Sequence, residues 1–199
     1  VAVAGGLLRA CPADAPPGLP GWLVAGASSH AALMICGFLG TLVAAERALA
    51  LGGIAGWVAP VASGLGAALL IAGDVGPGRL ALLFAGAAFV GVNAAIARRQ
   101  PAPHTLLLLI ASVAWLVGDA LALAEAGAPL PWWFAFLVLT IAAERLEMTR
   151  LLPRTRGTSL QLAVVVAALL AGATAASLPG AGAALGLASF GAGLVALSA

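Results

Sequence analysis

Charge is scarce in this sequence. Charged residues are 8% of 199, and all nine basic residues are arginine, with no lysine. A soluble domain carries roughly a quarter charged residues, so the chain has too little polar surface to cover a water-soluble body. Histidine is nearly as rare. His30 and His104 are the only two, and they fall on opposite sides of the topology derived below, which excludes a multi-histidine metal site within this stretch. The two cysteines, Cys11 in a loop and Cys36 in the middle of an apolar run, are poorly placed for a disulfide and leave the redox compartment open. There is no glycine-rich phosphate loop after a strand and no clustered His/Cys spacing. No signal peptide is visible. The formal net charge of +2 is accounted for by topology and gives no indication of nucleic-acid binding.

What is present is apolar sequence, 63% of the chain, in runs of about twenty residues. That length spans a ~30 Å hydrocarbon core. Ala, Leu, Val and Gly fill the runs, and small residues are common where membrane helices pack closely. No alternation of apolar and polar residues suggests a barrel. The fold class read here is an all-α, polytopic integral membrane bundle in contact with the lipid bilayer. It forms one transmembrane domain over residues 1–199, which reads as incomplete at both ends because Val1–Leu8 resembles the tail of a helix.

About seven complete transmembrane helices are expected. After the partial helix and a Pro-rich loop (Arg9–Gly21), they run Trp22–Leu49, Ile54–Gly73, Arg79–Ala97, Thr105–Ala126, Trp132–Met148 and Thr158–Leu178. A last one begins after Pro179-Gly180 and is still apolar at Ala199. Pro and Gly mark nearly every boundary. Arginine sets the orientation. Arg47, Arg98, Arg99, Arg145, Arg150, Arg154 and Arg156 share one side and Arg9 and Arg79 the other. The seven-arginine side is expected to be cytoplasmic. Trp22, Trp132 and Trp133 then fall at the outer interface, where amphipathic rings sit.

The segment Phe38–Arg47 matches Phe136–Arg145 at six of ten positions, at an offset of 98. Both close an outside-to-inside helix, four helices apart, and both end in Glu-Arg. The match reads as an internal four-helix repeat.

Ionisable residues within a membrane are costly and usually have a job. His30 lies roughly 12 Å below the outer end of its helix, at ~1.5 Å per residue. Gly26, His30, Leu33, Gly37 and Gly40 share a stripe. These glycines leave room for a close neighbour, either another helix or a flat cofactor. A neutral imidazole can ligate haem iron; equally, His30 can be a buried group bonded to another helix. Glu46-Arg47 and Glu144-Arg145-Leu146-Glu147 end two helices, where ion pairing is the favoured reading and proton entry the sharper one. Glu147 and Arg150 can pair locally. Asp119 is the carboxylate most clearly inside a span, beside Trp115. It suits an interhelical hydrogen bond or a proton path.

The segment Ser29–Thr41, with a His followed by an apolar Met-Ile stretch, resembles the second helix of haem-copper oxidase catalytic subunits. Together with Phe136–Glu147, it is more similar to the NnrS-like branch of that architecture. The resemblance implies a bacterial inner-membrane protein built from three four-helix arcs, with His30 at the low-spin haem position. It also implies a link to nitric oxide response or respiration. No histidine occurs between Thr105 and Ala199, so the copper-binding set of the oxidases is not matched and copper is not supported within this chain. From a different class come a non-redox helical subunit or scaffold within a larger membrane complex, with other membrane subunits as partners, and a small-solute transporter.

Overall fold

The computed structural model describes Val3, Gly6, residues 19–148, residues 156–178, and Gly186, Ala188, Gly191 and Ala192. Every regular element among them is helical. The elements are α1 (Gly21–Ser28), α2 (His30–Leu51), α3 (Ile54–Ala72), α4 (Val75–Arg99), α5 (Pro103–Ala124), α6 (Leu130–Met148) and α7 (Arg156–Ser177). Five described helices are long and apolar enough to cross a membrane: α2, α3, α4, α5 and, within α7, Leu160–Ser177. α6 has 19 residues but carries Glu144, Arg145 and Glu147 in its last turn. The helix expected after Pro179-Gly180 lies largely outside the described residues.

The expected boundaries move for identifiable reasons. The first long helix is not continuous from Trp22 to Leu49. It breaks at Ser29, whose hydroxyl neighbour Ser28 bonds back to the Ala25 carbonyl at 2.9 Å. α4 begins at Val75 rather than Arg79, because Pro77 sits in the first turn, where its missing N–H costs nothing. α5 likewise starts at Pro103. There the Thr105 hydroxyl accepts from the Ala102 N–H at 3.1 Å. α2 ends at Gly52 and Gly53, whose φ of 74° and 85° any L side chain would strain to adopt.

The chain divides into two compact units, 1–92 and 93–199, and α4 runs from one into the other. In the first unit α2 lies along α3, with Gly37 against Ala67; a Cβ on Gly37 would come within 2.8 Å of the Ala67 Cβ. Gly66 brings α3 equally close to Leu82 and the Gly78 carbonyl of α4. In the second unit α5 and α6 form a tight hairpin, and α7 packs on α6. The turn between α5 and α6 is stapled to the end of α7, where the Ser177 hydroxyl donates to the Ala128 carbonyl at 2.9 Å. In lipid the hydrophobic effect between helices is weak, so contacts of this kind, small residues and hydroxyl bonds, carry the association.

Candidate functional site

The first unit holds a polar site on α2. His30 opens this helix and is half-buried. Its imidazole lies on Gly6 of the N-terminal segment. A Cβ there would stand 2.7 Å from Cε1, with Nε2 at 3.1 Å and Nδ1 at 3.3 Å. The ring therefore occupies the space that a side chain at Gly6 would need. Of the expected glycine stripe, Gly26 lies across the break at Ser29 and His30 is half-buried. Gly26, Leu33, Gly37 and Gly40 are all buried, and the neighbour they admit at Gly37 is α3.

Directly after His30, the eight residues Leu33–Gly40 are π-helical, wider than an α-helix. Such segments are rare and are frequent at functional sites. Two hydroxyls serve the carbonyls of this segment. Thr41 Oγ1 donates to the Gly37 carbonyl at 2.6 Å, and Ser63 Oγ of α3 donates to the Cys36 carbonyl at 2.8 Å. The two hydroxyl oxygens are 2.9 Å apart. Cys36 is fully buried and in no disulfide; Cys11 lies outside the described residues.

The second unit holds the carboxylate. Asp119 is buried, and its Oδ1 accepts from Trp133 Nε1 at 3.0 Å. Gly118 makes this approach feasible, since the indole occupies the space where a side chain would be. Trp115, also fully buried, stacks at 5.0 Å and a 33° tilt on Phe136. Trp133 therefore turns inward to Asp119, whereas Trp22 is exposed. The sequence pairs Asp119 with its helical neighbour Trp115. The structure adds a partner on α6 that the sequence reading missed.

At the helix ends, Arg47 Nη2 pairs with its neighbour Glu46 Oε1 at 2.8 Å. This is a pairing within one helix rather than between helices. Arg47 is buried and Glu46 exposed. In α6 the pattern is different: Glu144 and Glu147 are half-buried and Arg145 is exposed. Arg150 and Arg154 lie outside the described residues, so the expected Glu147–Arg150 contact does too. Among the described residues no three His, Cys, Asp or Glu side chains gather as a metal group.

The two segments of the sequence repeat differ in packing. Phe38 is 59% exposed while Phe136 is fully buried. The buried positions Cys36, Gly37, Gly40 and Ala44 of α2 correspond instead to Ala135, Phe136, Leu139 and Ala143 of α6. At that same offset of 99 the buried Ile35 falls on exposed Phe134, so no single offset aligns the two packing faces.

Apolar helices of this length, closed by small residues and intramembrane hydroxyls, define a polytopic helical membrane protein. The chain belongs to the family described as domain of unknown function DUF8744, whose model matches residues 1–199. No curated protein and no solved structure matches it.

Proposed function

We propose that this chain is a haem- or metal-binding protein of the bacterial inner membrane, resembling the NnrS-like relatives of haem-copper oxidases, with His30 as the iron ligand. The observation that carries this reading is the seat of His30. The ring rests on Gly6, three residues before a π-helical segment begins at Leu33. A ring held in one orientation is what an axial ligand needs. His30 would hold the iron through its imidazole, and bound haem would supply an iron able to change redox state or take a diatomic gas. The proposed link to nitric oxide or respiration rests on the same resemblance.

The test is a visible spectrum of detergent-purified protein, oxidised and reduced, after haem-supplemented expression. A Soret band is expected, and His30→Ala should abolish it. A colourless preparation, or a band that survives the substitution, overturns the assignment.

A second reading has its own observation. The space over Gly6 is taken by the imidazole itself, so the glycine there serves packing. On that reading His30 is an interhelical contact in a non-redox subunit of a larger complex. A colourless protein that melts well below wild type as His30→Ala supports it.

The proposed orientation places the Arg98-Arg99 end of α4 in the cytoplasm. Both side chains are exposed in its last turn, where the helix dipole favours cations. A lone cysteine from Arg99→Cys in a cysteine-free background should label in intact cells only with a membrane-permeant maleimide. Labelling by an impermeant reagent reverses the topology.

A further inference from the structure

The π-helical segment is long for its kind, because widened turns occur mostly as single bulges. Something local must hold Leu33–Gly40 open. α6 provides an internal control. Thr140 bonds back to the Phe136 carbonyl at 2.8 Å, just as Thr41 bonds to Gly37, yet α6 stays α-helical throughout. A threonine back-bond is therefore not sufficient. What α2 has in addition is Ser63, reaching across from α3 to the Cys36 carbonyl and to the Thr41 hydroxyl. Each hydroxyl has one proton, so Ser63 donates to the Cys36 carbonyl while Thr41 donates either to the Gly37 carbonyl or to Ser63 Oγ, 2.9 Å away. In the membrane interior a carbonyl displaced from its helical partner needs such a donor.

We propose that Ser63 and Thr41 are a register lock, and that through it they position His30. Held open, the segment fixes the angle between the His30 end of α2 and the stretch Thr41–Leu51. Tightening it by one residue turns one end against the other by about 100°. That turn would carry the imidazole off Gly6. The lock stands whether or not His30 carries haem.

Cys36 is the reporter, since it lies inside the segment and is fully buried. In a Cys11→Ser background it is the sole thiol. Its labelling by a membrane-permeant maleimide should be slow. Ser63→Ala and Thr41→Val remove one hydroxyl each and should accelerate labelling about tenfold, the population shift expected for losing one hydrogen bond. Thr41→Ser keeps the hydroxyl and should restore the slow rate. A control cysteine at the buried position Ala59 of α3, in a background lacking Cys36, should keep its own rate in all three. The proposal is overturned if Thr41→Val labels no faster than the parent, if Thr41→Ser labels as fast as Thr41→Val, or if the Ala59 control accelerates in parallel. The Thr41 pair decides the matter even where Ser63→Ala fails to fold.

Discussion

Gly118→Leu is expected to unseat the Trp133 indole and cost about 2–6 kcal/mol of stability, from overpacking (about 1–3) and from breaking a hydrogen bond to a buried carboxylate (about 1–3). The magnitude follows from what a side chain would meet. A Cβ at Gly118 would stand 2.5 Å from Trp133 Cδ1 and 2.6 Å from Nε1. These are atoms of a rigid ring, which cannot fold aside as the end of a flexible chain can. The ring is 5% exposed and is held by Asp119 at 3.0 Å, so moving it breaks that bond. Gly118→Ala should show the same effect at smaller size, since its single carbon already occupies the forbidden space. Asp119→Asn supplies the contrast. It keeps an oxygen for the indole N–H and removes only charge, so it should cost less than Asp119→Leu, which removes the acceptor. The measurement is unfolding in detergent followed by tryptophan fluorescence, which also reports directly on the displaced indole. A Gly118→Leu protein with the parental midpoint and emission would show that the Gly118–Trp133 approach does not support the hairpin.

The sequence exposes the helices because the signal is coarse: length, apolarity and punctuation. The pair Gly52-Gly53 separates two elements where expected, and the departures are confined to local chemistry such as Pro77 and Pro103 at the heads of α4 and α5. Rotational phase is far less legible. A helix apolar all round carries no stripe to say which face is inside, so Phe38 and Phe136 look equivalent in sequence and are opposite in burial. The π-helical stretch is hidden for the same reason. Leu33–Gly40 is uniformly apolar, and its widening depends on Ser63, 22 residues beyond Thr41. The Asp119–Trp133 bond had a readable clue. Both residues lie a few turns from the Gly127 bend, so an αα-hairpin brings them to similar depth, and Gly118 beside Asp119 marks a close approach. Reading Trp133 as part of an interfacial belt obscured that pairing. His30 was legible as an intramembrane histidine, but its neighbour Gly6 lies in a segment too short to span by itself.

The first unit has its own weak point, and substitution there should be harsher in kind. Gly56, at the head of α3, faces Ala48 of α2. A Cβ would lie 2.9 Å from the Ala48 Cα, 3.0 Å from its carbonyl oxygen and 3.2 Å from its Cβ. Two of these are backbone atoms, so no rotamer change relieves the collision and one helix must move. Gly56→Leu should therefore cost at least the ~3 kcal/mol at the upper end of ordinary overpacking, or prevent the α2–α3 hairpin from closing. Its comparison is Gly64→Leu, eight residues along the same helix. Gly64 is exposed and nothing lies within 4 Å of the added carbon, so that change should stay within about 0.5 kcal/mol, as for surface sites away from special features. The two variants have the same composition and differ only in what the new side chain meets. Equal midpoints in a denaturant series would mean that α2 and α3 can separate without loss, and the close approach at Ala48 would lose its structural role. A large gap between them would place the stability of this unit in backbone-to-backbone contact at glycine, the kind of packing a bundle needs when lipid is as apolar as its own side chains.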